Sequence, residues 1–263
     1  MCIIRRASGW WFLLSARVWI DRGSFCGPLT TIIIATRNAH KVEEIRSILG
    51  SQFVFLTLRD FPKARSVVED ANTFAGNATK KAVELAHWLS SEGSRFEVRG
   101  SRFVLADDSG LEVDALNGAP GVHSARFAAL ETGAAGNSAD NANNAKLLRL
   151  LQNIPAEKRT ARFRCVIALT PVVLSQHVNS SPVCAADEHE LQSETFDGAC
   201  EGQISFTPSG AKGFGYDPLF VPNGFTQSFA ELGEDVKNRI SHRAKALEKV
   251  RAALNALLHN PLK

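Results

Sequence analysis

Apolar residues recur along the chain with two spacings that alternate. Short apolar runs predict β-strands at residues 31–35, 52–58, 103–106, 161–170 and 198–206. Apolar residues at every third or fourth position predict helices at residues 39–49, 74–89 and 139–151, and a long closing helix after residue 241. Strands interleaved with helices in this order are typical of an α/β fold with a mixed sheet.

Capping signals mark the ends of two of these helices. Asn38 is a suitable N-cap for the first helix and Gly50 a suitable stop, while Ser241 is a suitable N-cap for the closing helix. The glycine- and alanine-rich stretch 116–136 has neither apolar period, so we expect it to be mostly loop.

The first 30 residues differ from the rest of the chain. They carry four arginines and one acid, and their longest uncharged stretch, Ala7–Ala16, is well short of the ~20 apolar residues that a membrane span needs. A signal peptide, an organelle-targeting peptide and a disordered extension all fit this composition. We expect residues 31–263 to form a single domain, with a surface loop inserted at about 171–197.

Composition and charge exclude several classes of protein. With 44% hydrophobic and 22% charged residues, the chain can bury an ordinary core. Outside the first 30 residues, 26 basic residues balance 26 acidic ones, so we expect no nucleic-acid polymer as a partner. Five cysteines without a C-x-x-C pair predict neither a zinc site nor a disulfide framework. We therefore expect a reducing compartment, the cytoplasm, or an organelle if the first residues are a targeting peptide.

Basic residues crowd the first turns of two predicted helices, where the helix dipole disfavours them. A bound anion would explain this placement, because free backbone N–H groups also point outward there. Two such helix starts together predict a cleft for a di- or triphosphate, although a lysine pointing into water would explain either one alone. The residues are Arg37, His40 and Lys41 in the first helix, and His242, Arg243 and Lys245 in the closing helix.

Lys81 lies close to the apolar stripe of the second predicted helix, on the same side as Asn77. A lysine at the edge of a stripe can extend its charge to solvent. The alternative is that Lys81 reaches into the phosphate cleft from its wall.

Two adjacent carboxylates, Asp107 and Asp108, follow the predicted strand 103–106. Alternation along an extended backbone sends them to opposite sides, so we expect one to act in chemistry and the other to hold a turn. Carboxylates at a strand end beside phosphates are suitable ligands for Mg²⁺. We expect the neighbouring Glu112 and Asp114 to be solvated or structural.

The segment KGFGYDPLF, residues 212–220, surrounds two aromatic residues with glycines. An aromatic face can stack on a nucleotide base, and glycine allows close approach of the backbone. A tight turn that contributes aromatics to the core is the alternative. Asp217 could accept hydrogen bonds from a base or cap the turn.

Four motifs stand in a characteristic order in the sequence: TRNAHK (36–41), ADDSGLEVDALNGAPGVHSARF (106–127), GFGYDP (213–218) and ISHRAKAL (240–247). Together they resemble the inosine triphosphate pyrophosphatase family over about residues 31–258. The resemblance implies an elongated sheet with a central nucleotide-binding cleft and a homodimer. It also implies a Mg²⁺-dependent hydrolase that converts ITP, dITP and XTP to the nucleoside monophosphate and pyrophosphate, removing non-canonical purines from the nucleotide pool.

The same resemblance implies a role for each matching residue. Asp108 would accept a proton and bind magnesium, with Glu69 as the second metal ligand. The triphosphate would contact the first loop and two further lysines, and Ser109 would touch the nucleotide. The phosphate-binding residues would be Thr36, Arg37, Asn38, Lys41, Lys81 and Lys237. The base pocket would comprise Phe214, Gly215, Tyr216, Asp217, His242 and Arg243, with Arg243 donating to the 6-oxo group.

Two departures from the family pattern bear on this prediction. Arg37 stands where the family usually has glycine, which would strain the loop if it required positive φ. The segment Glu69-Asp70-Ala71 replaces the usual Glu-Thr-Gly. The rival hypothesis is therefore a nucleotide-binding module that has lost catalysis.

Overall fold

A computed structural model of the chain describes residues 30–92, 101–133, 136–173 and 192–259. It contains one six-stranded sheet in the order β2-β1-β3-β4-β5-β6, parallel from β2 to β3 and antiparallel from β3 to β6. The strands are β1 Thr31–Ile34, β2 Val54–Thr57, β3 Arg102–Val113, β4 Thr160–Pro171, β5 Glu194–Ile204 and β6 Phe220–Pro222. The helices are α1 Ala39–Leu49, α2 Phe74–Glu92, α3 Ala129–Thr132, α4 Asp140–Leu150, α5 Phe229–Leu232, α6 Glu234–Ile240 and α7 His242–His259. The predicted mixed sheet flanked by helices is confirmed.

Helices cover both faces of this sheet, and alternating side chains of the short strand β1 bury against each layer. Ile32 and Ile34 pack in a core shared with α1 and α7, whereas Ile33 packs in a second core shared with α2. All four β1 residues are buried, as a parallel strand covered on both faces requires.

The antiparallel strands extend far beyond the parallel ones. β1 has 4 residues whereas β3 and β4 have 12 each, and their additional length forms a third core with α4, α5 and β6. The predicted elongation of the sheet has this origin. Within the described residues, no helix is both long and apolar enough to cross a membrane.

Several predicted boundaries were wrong. β3 does not end at Ala106 but continues to Val113, because β4 pairs with it along this whole length. The stretch 116–136 is not mostly loop: it includes the 3-10 helix Gly121–Arg126 and α3. β5 begins at Glu194 and so takes the last residues of the predicted 171–197 loop.

The predicted insertion joins β4 to β5, two antiparallel neighbours, as expected for a loop at the tip of a strand pair. Its central residues 174–191 lie outside the described residues, as do residues 1–29 and three of the cysteines. The two described cysteines, Cys165 and Cys200, are free thiols.

Candidate active site

The site lies where β1 ends and β3 continues. Ile34, the last residue of β1, pairs with Leu105, so the next residues of β3 have no strand beside them on that edge. The chain leaves β1 through the loop 36–38 into α1, whose first turn closes over this free edge of β3. The carboxyl ends of parallel strands are the usual location of ligand sites in such sheets.

Two cavities adjoin α1, and the larger one also borders this edge of β3. The larger cavity, of about 410 Å³, and the smaller cavity, of about 130 Å³, divide the predicted site between them. The larger cavity is lined by Thr36, Arg37, Asn38, Lys41, Glu69, Lys81, Asp108 and Ser109. The smaller cavity is lined by Phe214 and Lys237. Within the described chain, five predicted residues line neither cavity: Gly215, Tyr216, Asp217, His242 and Arg243.

Asp108 faces the larger cavity from the middle of β3. Its carboxylate accepts a hydrogen bond from Asn77 Nδ2 at 3.1 Å and lies 3.3 Å from Lys81 Nζ. Burial raises the pKa of this carboxyl above its usual range, and Glu69 acts in the same direction against Lys81 and Lys41. A carboxylate with a raised pKa is a better proton acceptor than an ordinary aspartate.

Lys81 reaches this cavity from α2, as one of the two interpretations of its position predicted. Its Nζ also donates to the Asp107 carbonyl at 2.8 Å, and its side chain is only 11% exposed. Asn77, one turn earlier, approaches the same carboxylate. The apolar face of α2 thus presents two polar groups to β3.

The carboxylates of Asp108 and Glu69 flank the same ammonium group. Glu69 Oε2 lies 3.4 Å and Asp108 Oδ1 3.3 Å from Lys81 Nζ. Among the described residues there is no cluster of three potential metal ligands. Two carboxylates at the edge of an open cavity fit Mg²⁺, which takes one or two protein carboxylates and completes its shell with water and phosphate oxygens.

The cations of the larger cavity include two that the sequence did not single out. Arg65 and Arg126 join Arg37 along its wall, and Arg126 donates to the Glu69 carbonyl at 3.3 Å. Arg126 lies in the motif of residues 106–127. No rule of residue spacing predicts that its side chain, at the end of the 3-10 helix Gly121–Arg126, faces the cavity. Arg65 carries no sequence signal that we can identify.

The loop before α1 accommodates Arg37 without strain. Asn38 caps α1 by accepting the Lys41 N–H at 3.2 Å, as predicted. Among the described residues other than glycine, only Asn117 has a positive φ, so the substitution of the usual glycine by Arg37 leaves the turn intact.

Asp107 lies on the opposite side of β3 from Asp108, as alternation predicts. It does not hold a turn, because there is no turn here. Its buried carboxylate instead contacts Lys41 and accepts hydrogen bonds from Arg243 Nε at 3.1 Å and Cys165 Sγ at 2.9 Å. Burial opposes its charge, but Arg243 and Lys41 outweigh burial and hold the pKa of this carboxyl well below its usual range.

The smaller cavity is backed by buried ion pairs. Lys237 Nζ lies 2.6 Å from Asp217 and 2.9 Å from Glu44, and Glu44 also contacts Arg243. Burial would raise the pKa of Glu44, yet Arg243 and Lys237 together lower it. Glu44 was not among the site residues predicted from the sequence. The available signal was its position three residues after Lys41 on the buried face of α1.

The two aromatics of the motif 213–218 have different roles. Phe214 lines the smaller cavity, with the His40 ring stacked on it at 5.3 Å and Lys237 Nζ 4.4 Å from its centroid. Tyr216 is buried in the third core and donates to the Ser124 carbonyl at 2.9 Å. Core packing, one of the two alternatives that the sequence offered, therefore applies to Tyr216, whereas Phe214 faces a cavity.

The cations at the start of α7 meet protein groups rather than open solvent. Ser241 caps the helix, as predicted, by accepting the Ala244 N–H. His242 stacks on Phe163 at 4.8 Å, and burial and Arg243 hold its pKa well below the usual range, so the ring is neutral. The Arg243 side chain is 1% exposed and contacts Asp107, Glu44 and Ser109. The polyanion inferred from this helix start is thus replaced by two protein carboxylates.

Comparison with known proteins places the chain in a family. The model of the Ham1 family matches residues 32–253, which is most of the chain. The chain belongs to the Ham1 family.

Several Ham1 relatives match it over nearly their whole length. A dITP/XTP pyrophosphatase of Desulforamulus reducens is 44% identical over 229 residues, covering 86% of this chain and 96% of the relative. One of Geobacter sulfurreducens is 42% identical over 220 residues, covering 83% and 94%. The solved structure of a HAM1 protein from Coxiella burnetii aligns with a TM-score of 0.67 at 32% identity, covering 87% of this chain and 100% of that one.

Proposed function

We propose that this chain hydrolyses non-canonical purine nucleoside triphosphates, namely ITP, dITP and XTP, to the nucleoside monophosphate and pyrophosphate. The observation that carries the proposal is the Asp108 carboxylate, held by Asn77 and Lys81 in a cavity lined by lysine and arginine side chains. The curated relatives, which are named dITP/XTP pyrophosphatases, support the substrate class.

In the proposed reaction Asp108 is the general base. It accepts a proton from the water that attacks phosphorus, and the Asn77 amide fixes the orientation of its carboxylate. Lys41, Lys81 and Arg37, together with Thr36 and Asn38 of the loop, hold the triphosphate in the larger cavity. The cations offset charge that builds up on the phosphate oxygens.

We propose Mg²⁺ as the cofactor, held by Asp108 and Glu69. When bound, the ion would neutralise phosphate charge and polarise the scissile phosphoryl group. Lys81 lies between these two carboxylates and keeps them within reach of each other. Ser109, on the same stretch of β3, contacts the nucleotide in this proposal.

We place the purine base in the smaller cavity, against Phe214 and beside Lys237. A 6-oxo group accepts hydrogen bonds, so donors in this cavity favour hypoxanthine and xanthine. Adenine presents an amino group there and would leave a buried donor unpaired. Gly215, Tyr216, Asp217, His242 and Arg243 then shape the pocket from behind rather than touching the base.

We further propose that residues 31–263 act as one domain, that the enzyme is a homodimer, as the family resemblance implies, and that it works in the cytoplasm. The free thiols of Cys165 and Cys200 suit a reducing compartment. Light scattering on the purified full chain tests the dimer directly.

The experiment that tests the proposed reaction is product analysis with ITP, with and without Mg²⁺. We expect one pyrophosphate and one inosine monophosphate per turnover, only with the metal. Release of orthophosphate would mean that a different bond is cleaved, and binding of ITP without any product would favour the nucleotide-binding module.

A further inference from the structure

A continuous chain of buried ion pairs connects the two cavities. It begins at Lys41 in the wall of the larger cavity and reaches Lys237 in the wall of the smaller one. Each member contacts the next, with acids and bases alternating. In order, the members are Lys41, Asp107, Arg243, Glu44, Lys237 and Asp217.

Asp107 is the second member of this chain, between Lys41 and Arg243, and has no exposed side-chain surface. Its Oδ1 contacts Lys41 and accepts the Ser109 hydroxyl at 3.2 Å, while its Oδ2 accepts Arg243 Nε and the Cys165 thiol. Both oxygens are thus held by protein donors, so a change at one partner is transmitted to the others.

We propose that Asp107 is a positioning residue that couples triphosphate binding in the larger cavity to base recognition in the smaller one. On one side it holds Lys41 toward the phosphates. On the other it holds Arg243, which orders Glu44 and through it Lys237 beside Phe214. This inference rests on the proposed function.

The coupling arises because neighbouring ion pairs in the chain have a residue in common. A phosphate that contacts Lys41 competes with Asp107 for hydrogen bonds from the same ammonium group. The charge of Asp107 is then balanced mainly by Arg243. The same guanidinium also contacts Glu44 and Ser109, so a change in its contact with Asp107 alters its contact with Glu44. Packed ionic networks of this kind carry coupling between sites.

The first test is the isosteric variant Asp107→Asn, assayed with ITP and ATP. A residue that supported only the fold would lower kcat/KM for both substrates alike. We expect the ITP-to-ATP ratio of kcat/KM to fall by about fivefold or more. The matched control is Cys165→Ala, which removes a neutral donor to the same carboxylate, and we expect it to keep the ratio. An unchanged ratio in folded Asp107→Asn would overturn the proposal.

The second test needs no variant, and it measures the coupling between the two cavities even if Asp107→Asn fails to fold. Inosine is titrated into the wild-type enzyme by calorimetry, with and without saturating pyrophosphate and Mg²⁺. We expect pyrophosphate to tighten inosine binding about fivefold, and the reciprocal titration to give the same factor. Independent binding would overturn the coupling while leaving the hydrolase intact, whereas absence of pyrophosphate release from ITP would instead refute the proposed function.

Discussion

The two cavities differ in whether they hold cations without an acidic partner. In the larger cavity Lys41 and Lys81 contact carboxylates, but Arg37 and Arg126 form no ion pair with a carboxylate among the described residues. Behind the smaller cavity, Lys237 and Arg243 each contact two carboxylates and are almost fully buried. Cations without acidic partners are available to a charged ligand, whereas neutralised ones fix the shape of a pocket. This difference supports our proposal that the larger cavity binds the phosphates and the smaller one selects the base.

The largest expected effect is on kcat and concerns the larger cavity. Asp108→Asn should lower kcat for ITP by about 10²–10⁴-fold, because the general base is lost. Binding of ITP without Mg²⁺ should stay within about threefold, since the amide keeps the shape of the side chain. Single-turnover kinetics and calorimetry separate the two quantities.

Glu112→Gln is the matched control for Asp108→Asn. Glu112 lies four residues further along β3, lines neither cavity and faces Arg162 and Arg164 at 3.7 and 3.9 Å. It should keep full turnover. Equal losses in the two variants would mean that charge on β3, rather than a base at residue 108, supports activity.

For the residues behind the smaller cavity, the largest expected effect is on the free energy of unfolding. Arg243→Ala leaves Asp107 and Glu44 buried without their shared partner, so we expect the free energy of unfolding to fall by about 3–5 kcal/mol. The exposed Arg37→Ala should change it by no more than about 0.5 kcal/mol. Urea unfolding followed by circular dichroism measures both, and similar values for the two arginines would remove the distinction between the cavities.

The pH dependence of stability examines the same buried pairs more finely. The folded-state pKa of Glu44 lies below its ordinary value of 4.5, so its charge stabilises the fold above that pH. This contribution is lost as the pH falls through the lower folded-state pKa. The Tm difference between wild type and Glu44→Gln should therefore be constant near neutral pH and shrink below about pH 4.5. A difference independent of pH would mean that packing, not charge, is responsible.

The smallest effect concerns the loop before α1. Arg37→Gly restores the usual residue and removes one exposed charge, so we expect KM to rise by up to about fivefold. ITP and ATP should be affected alike, because Arg37 lies in the phosphate cavity. A change in KM for ITP alone would mean that Arg37 takes part in base recognition. It would contradict the proposal that the two cavities bind different parts of the nucleotide.

The sequence predicted local features well and long-range ones poorly. The cap at Asn38, the strand β1 and the opposite orientations of Asp107 and Asp108 follow from local rules. The length of β3 does not, because Asp-Asp-Ser-Gly is a typical turn composition and only pairing with β4 keeps it extended.

The partners of Arg243 were equally beyond local rules. They lie 136 and 199 residues away, at Asp107 and Glu44. A basic helix start looks the same in sequence whether its anion is a substrate or a carboxylate of the same chain. The four motifs nevertheless indicated the family that the comparisons show, because their residues and their order are compared over most of the chain together.

The most direct test of the account is a comparison of kcat/KM for ITP, XTP, GTP and ATP with the wild-type chain and Mg²⁺, followed by pyrophosphate release. A phosphate cavity joined to a separate selective pocket predicts efficient turnover of ITP and XTP, with ATP slower by several powers of ten. Similar values for all four nucleotides would contradict the account, because the smaller cavity would then exert no selection on the base.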